Sequence, residues 1–544
     1  MLKNKNHIWI AALINLVLFV LFFNFLYPIY DSKEDAYAAY LLSGGFGDPP
    51  TELLHYNYGF HPFLNLVVKN LFLLNENINW YSLSLIAAHY ISATVILSLL
   101  IKKNKSPLFL LSWFALFLVF QGFFLIILDF TGTSVIVGCS GLLYLLAKSK
   151  EGPLSIRHCA MGCLLLLLAS FYRIHSIIPL AGIALPFFFL VTPGQKIRIF
   201  ITVAAAALCI VLFNYLQRAY YTAKDPGWPT EEASRQKIFD LYNYNAAALY
   251  NVAPGKKWYI ESQLISRGLL IDSSFLHGQW LDSMYKEVKA SPPAEIHLPN
   301  GWTKWFFINN RLFFCTTILL LAIFASTRKI RLALSLALLL ITAGTWYLAN
   351  NAKLPPYILA SALYFICLAT MFYGAVNPLI LHRKWIQFST IALLLFFCCW
   401  GIIRLHKTSQ QNRWQNYSFK QAYAELAANK DKLFIVTGNF TIHKFYAFDL
   451  PRNYKLDNYA DTEHFIINLY KPVFEKFHIY NNGQIPFHPN VLFWGKTCDA
   501  LRLYFERLTG RPMKITEPLG EFKAQSVWRI VPSLQSATPQ SAVP

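Results

Sequence analysis

The stretch "MLKNKNHIWIAALINLVLFVLFFNFLYP", residues 1–28, sets a basic start against an unbroken apolar core. As a helix that core is long enough to cross about 30 Å of hydrocarbon. It is too long for an ordinary signal-peptide core, and no small-x-small cleavage site follows it. The stretch therefore reads as an uncleaved first membrane span with a cytoplasmic N-terminus.

The pattern repeats along the chain. Further apolar runs lie near 80–101, 107–128, 131–147, 159–172, 176–192, 197–216, 305–326, 332–350, 356–376 and 385–403. Together with the first they predict about 11 transmembrane helices. "MLKNKNH", "KKNK", "KSKEGPLSIRH", "TPGQKIR", "TRKIR" and "LHRKW" are basic, and the connections between them are neutral or acidic. By the positive-inside rule the basic set is cytoplasmic. Residues 29–79, 217–304 and the tail from 404 then fall on the outer side. The turn "YRIHS" between the fifth and sixth runs is short; were those runs one bent span, every later segment would invert and the basic loops would face outward.

Composition agrees with a polytopic membrane protein. Of 544 residues, 55% are hydrophobic and 16% aromatic, and only 14% are charged; mean hydropathy is +0.38. An ordinary soluble domain carries about 25% charged residues. The formal net charge of +20 would suggest nucleic acid in a soluble protein. Here much of it lies in short loops between spans, where it sets topology, so the lipid bilayer is the expected partner and nucleic acid is not. Eight of the nine cysteines lie in or beside apolar runs, which gives neither a disulfide framework nor a metal-ligand spacing.

The tail, 404–535, reads as a small α/β domain: "KDKLFIVTG" a buried strand, "DALRLYFERLTG" an amphipathic helix ending at Gly510, "SVWRIVP" a closing strand. Residues 536–544 are expected to be disordered. The fold class is thus mainly α, a domain of 1–403 followed by an extracytoplasmic α/β domain.

Where the chain leaves the first span it reads "YPIYDSKEDAYAAYLLSGGFGDPP", residues 27–50. Asp31 or Ser32 can cap a helix over 33–43, with Glu34 or Asp35 closing a capping box and Gly44-Gly45 ending it. Capping explains the acids locally. The spacing of Asp31, Glu34 and Asp35 also gathers them on one helix face at the membrane surface. A carboxylate held there can take a proton from a hydroxyl or hold a metal ion.

The longer run resembles the first outer loop of bacterial GT-C superfamily glycosyltransferases, related in plan to protein O-mannosyltransferases and lipid A aminoarabinose transferases. The matching residues are Glu34-Asp35, Ser43-Gly44, Gly47-Asp48-Pro49, His55-Tyr56-Asn57 and Asn79-Trp80-Tyr81. The detailed match covers residues 34 to 92; span count and sidedness extend it loosely over the chain. Where the family usually shows Asp-Asp, this sequence has Glu34 first.

That resemblance implies an inverting sugar transfer from a polyprenyl-phosphate donor to a glycan, lipid or protein acceptor, on the outer face of a bacterial cytoplasmic membrane. Asp35, helped by Glu34 or by a divalent metal on Asp35 such as Mg or Mn, would activate the acceptor. The departing phosphate needs cations. Arg173, in the "YRIHS" turn, and Lys353, in the loop before the tenth span, are the candidates, although both also suit snorkelling anchors; Arg218 and Arg311 are weaker ones. Asp31, His55, Asn57, Asp129 and His175 are candidate cavity or acceptor contacts. Asp129 reads more simply as the cap of the fourth span than as a cavity carboxylate. His89 reads more simply as an interhelical hydrogen-bonding group than as a cavity residue, and His55 with His61 lacks a ligand cluster. A transporter or flippase, or a polymerase or ligase of lipid-linked glycans, is the alternative reading. Transporters bury charge at the bilayer midplane, whereas these acids cluster at span ends.

Overall fold

The computed structural model describes residues 6–31, 33–45, 49–54, 61–103, 107–191, 193–244, 246–270, 279–290, 311, 314–318, 327–351, 356–373, 384–437, 444–462, 470–522 and 525–533. His55, Asn57 and Lys353 lie outside these residues.

The membrane helices are α1 (Asn6–Phe25), α4 (Trp80–Lys103), α5 (Pro107–Ile126), α6 (Phe130–Glu151), α7 (Ile156–Phe188), α8 (Pro193–Lys224), α9 (Arg328–Asn351), α10 (Pro356–Tyr373) and α11 (Lys384–Ala428). Two shorter helices, α2 (Lys33–Ser43) and α3 (Pro62–Leu74), lie between α1 and α4. Among the described residues seven helices are long and apolar enough to cross a membrane: α1, α4, α5, α6, α7, α8 and the stretch Gln387–Ala428. Eleven were expected.

Part of the difference is α7, which carries the fifth and sixth runs together. Arg173 interrupts it with extended backbone, φ −163° and ψ 108°. Ala169 and Leu180, on either side of that break, both lie against Gly138 of α6. In a continuous helix they would be about 16 Å apart along the axis. The chain therefore folds back at Arg173, and α7 is two antiparallel halves. The second half returns to the far end of α6, where Phe187 stacks on Tyr373 and Lys150 lies over the same ring. Two more of the expected runs are α9 and α10; α10 is the shorter apolar helix Leu359–Tyr373. The run 305–326 is mostly outside the described residues.

Small residues let these helices approach closely. A Cβ on Gly162 would fall 2.4 Å from Leu145, and one on Gly141 3.1 Å from Leu165, so α6 and the first half of α7 pack nearly backbone to backbone.

The chain divides into two compact units. The first comprises residues 1–223, 296–417 and 443–453, and the second comprises 224–295, 418–442 and 454–544. The cut differs from a boundary at 403, because 404–417 and 443–453 pack with the membrane helices.

The second unit holds a mixed five-stranded sheet in the order β4 (Tyr459–Asp461), β3 (Leu433–Thr437), β5 (Val491–Gly495), β8 (Gln525–Trp528), β7 (Gly520–Phe522). The first two pairings are parallel and the last two antiparallel. β3 and β5 are buried along their whole length, which is why "LFIVT" and "VLFWG" read as continuous apolar runs rather than alternating ones. The helix Asp499–Thr509 stops at Gly510, whose φ of 67° is the left-handed cap. A two-stranded ribbon, β6 (Met513–Ile515) with β9 (Ile530–Pro532), completes it.

Candidate functional site

The site grows from two short strands in the first unit. β1 (Ile29–Tyr30) follows α1 and β2 (Ile127–Leu128) follows α5; they pair in parallel, Ile29 with Ile127 and Tyr30 with Leu128. The Asp31 N–H continues the ladder to the Leu128 carbonyl at 3.1 Å. One step further in this register, Asp31 and Asp129 are neighbours.

Asp129 is the N-cap of α6: its Oδ1 accepts from the Gly132 N–H at 2.5 Å. Gly132 leaves room for this, since a Cβ there would meet Phe124 at 2.6 Å and Asp129 Oδ2 at 2.9 Å. The cap reading of Asp129 holds. Burial and the neighbouring Asp31 raise its carboxyl to about 7, against the Gly132 bond and Arg173.

Asp31 and Glu34 share that environment. Asp31 is exposed and Glu34 and Asp129 are half-exposed. Each is nevertheless enclosed enough that burial raises its carboxyl, with Lys444 opposing the shift at Asp31 and Arg173 opposing it at Glu34. The three form a carboxylate cluster where α1 and α5 end and α2 begins, here called the recess, partly open to solvent and partly desolvated.

Arg173 meets this recess from the break in α7. Its Nη1 donates to Thr131 Oγ1 at 2.6 Å, and its guanidinium lies over the Phe130 ring at 5.4 Å. The freed carbonyls at the break face Ser134, whose single hydroxyl proton is shared between the Ala169 carbonyl at 2.8 Å and the Arg173 carbonyl at 3.0 Å. A slot of about 80 Å³ adjoins Arg173, lined by His175, Val135, Pro179, Leu180 and Ala362 among others. His175 is exposed at its rim. One guanidinium at the mouth of an apolar slot suits an anion that carries a hydrocarbon tail.

Asp35 takes a different place from the one the sequence suggested. It is fully buried, and its Oδ1 accepts from Tyr81 Oη at 2.7 Å and from the Phe130 N–H at 3.0 Å. Asp35 thus ties α2 to the heads of α4 and α6 and satisfies an N–H in the first turn of α6. Through these two bonds it positions the start of α2 against α4 and α6.

Among the described residues no three His, Cys, Asp or Glu side chains gather as a metal site. A divalent ion on Asp35 stays a proposal. No step below is routed through one.

Two histidines are held structurally. His61 caps α3: its Nδ1 accepts from the Phe63 N–H at 3.2 Å and its Nε2 donates to the Phe213 carbonyl at 2.9 Å. His89 is buried within the helices, 3.1 Å from Thr133 Oγ1 and 3.1 Å from Gln121 Nε2.

Sequence reasoning missed Lys444, which it left inside the tail domain. Its Nζ donates to the carbonyl of Asp31 at 3.1 Å. The available signal was "KFYAF", a lysine against aromatics, the composition of a membrane-interface segment.

The chain is similar along almost its whole length to ArnT from Cupriavidus metallidurans. The crystal structure of that protein bound to undecaprenyl phosphate aligns at 13% identity and a TM-score of 0.42, covering 95% of this chain and 97% of the other. The apo structure aligns at 13% identity and 0.43, covering 96% and 97%. No family model and no curated protein matches the chain. The functional reading below rests on the residues of the recess.

Proposed function

We propose that this protein is an integral-membrane glycosyltransferase of GT-C plan. It moves a sugar from a polyprenyl-phosphate donor to an acceptor hydroxyl at the outer face of a bacterial cytoplasmic membrane. The observation that carries this reading is the parallel register that sets Asp31 beside Asp129, with Arg173 bonded to Thr131 close by and lining an apolar slot.

The parts suit an in-line displacement. Arg173 receives the donor phosphate while the first prenyl units enter the slot, and its charge stabilises the phosphate as it leaves. Asp31 takes the acceptor proton as the acceptor oxygen attacks the anomeric carbon. The sugar–phosphate bond breaks, polyprenyl phosphate departs, and the configuration inverts. Glu34, beside Arg173, orients the guanidinium. Asp35 acts through Tyr81 and the head of α6. Lys353 as a second phosphate contact and His55, Asn57 and His175 as acceptor contacts belong to the same proposal, as do a cytoplasmic N-terminus and an outer C-terminal domain.

Radiolabelled donor lipids offered to the purified protein test the class. Transfer from a polyprenyl monophosphate sugar is the expected result. Transfer from a diphosphate donor alone, or movement of lipid across a bilayer without bond formation, contradicts it.

A further inference from the structure

Residues 444–453 form a strap across the outer ends of the first helices. The Ala447 N–H donates to the Pro28 carbonyl at 3.0 Å, and Tyr446 stacks on Tyr27 at 4.2 Å. Phe445 is fully buried against Tyr30 and Tyr40. Asn79, which caps α4 by accepting from the Ser82 N–H, donates through its amide to the carbonyls of Ala447 and Asp449, each at 2.9 Å. Arg452 pairs with Glu76. So many ties fix the strap to within a hydrogen bond's tolerance.

What the strap delivers is one ammonium. Lys444 Nζ donates to the carbonyls of Tyr30 at 3.5 Å and Asp31 at 3.1 Å. Its charge acts on Asp31 and Asp35. Among the described residues the charged groups around Asp31 are Lys444 from the strap, Asp129 from the turn into α6, Lys33, Glu34 and Asp35 from α2, and Arg173 from α7. Arg173 acts on Asp129 and Glu34, and Lys444 acts on Asp31. Two neighbouring carboxylates resist ionising together, and a cation beside either one favours its charged form.

We infer that Lys444 is a positioning residue for the transfer proposed above, on which this inference rests. Its ammonium, bonded to the carbonyls of Tyr30 and Asp31, favours the ionised, proton-accepting form of the Asp31 carboxyl.

Lys444→Met and Lys444→Arg in the full chain test this by the pH profile of transfer and by infrared titration of the Asp31 carboxyl, assigned with Asp31→Asn. The methionine variant should titrate Asp31 at a pH higher by about one unit, the low end of what an opposite charge at ~4–6 Å does. The acid limb of kcat/KM moves with it, and KM for the donor stays. Arginine should restore both. An Asp31 titration that is the same in the wild type and the methionine variant overturns the inference. If Lys444→Met does not fold, Lys444→Gln carries the same comparison. The infrared arm needs no turnover, so a wild-type protein that transfers no sugar refutes the proposed function while leaving the role of Lys444 decided separately.

Discussion

Two polar regions lie within the helices of the first unit, and they are built on opposite plans. In the interior, Tyr364 Oη donates to Gln121 Oε1 at 3.4 Å, Gln121 Nε2 to His89 at 3.1 Å, His89 to Thr133 at 3.1 Å, and Thr133 Oγ1 to the Asp129 carbonyl at 2.8 Å. Every link has one sense: because Gln121 gives a proton to Nδ1, Nε2 of a neutral imidazole must carry its own and pass it on. A π-helical turn, Phe117–Gln121, ends on the glutamine that accepts from Tyr364 and passes the chain to His89. His89, Gln121 and Thr133 are wholly buried. At the span ends, Asp31, Glu34, Asp129, Arg173 and Lys444 are open to solvent to different degrees, and three of them are carboxylates. A closed neutral chain holds helices together, whereas an open, charge-unbalanced recess can exchange protons and bind anions.

That contrast can be broken at either region. Arg173→Ala removes a charge from the recess and should lower kcat/KM for the donor by roughly 10²–10³, the scale of losing one electrostatic stabiliser. The melting temperature should hardly change, because the carbonyls at the break stay bonded to Ser134. Loss of fold in that variant would move Arg173 to the structural side of the comparison. His89→Ala should have the reverse signature. It leaves Gln121 and Thr133 with buried, unmatched groups and should cost about 1–3 kcal/mol of stability, read from thermal unfolding in detergent. Transfer per folded molecule should stay within a few fold. A large fall in kcat without a fall in stability would draw His89 into the chemistry.

Much of this architecture was legible in the chain. Apolar runs of spanning length gave the helices, and two of them separated by "YRIHS" proved to be antiparallel halves even though they join into one helical element. The continuous apolar stretches of the tail gave β3, and Gly510 gave the helix stop. In the site, two residues of Asn79-Trp80-Tyr81 make long-range contacts: Asn79 holds the strap and Tyr81 holds Asp35.

What could not be read is set by contacts between residues far apart in sequence. Helix spacing alone cannot say which of Asp31 and Asp35 faces inward, because the answer depends on β1 finding β2 almost a hundred residues later. Once Tyr30 pairs with Leu128 and Asp35 meets the Phe130 N–H, the helix phase is settled, with Asp35 beneath and Asp31 in the open. Lys444 was hidden for the same reason. Its neighbours in sequence belong to an α/β unit, while its contacts are with Tyr30 and Asp31.

The most direct measurement is sugar transfer from a polyprenyl-phosphate donor by Asp31→Asn, compared with the wild type at equal amounts of folded protein. A fall of about 10²–10⁴, the range for losing a general base, with unchanged melting, is the result that an open recess carrying the chemistry predicts. An Asp31→Asn protein that folds and transfers at the wild-type rate would contradict it.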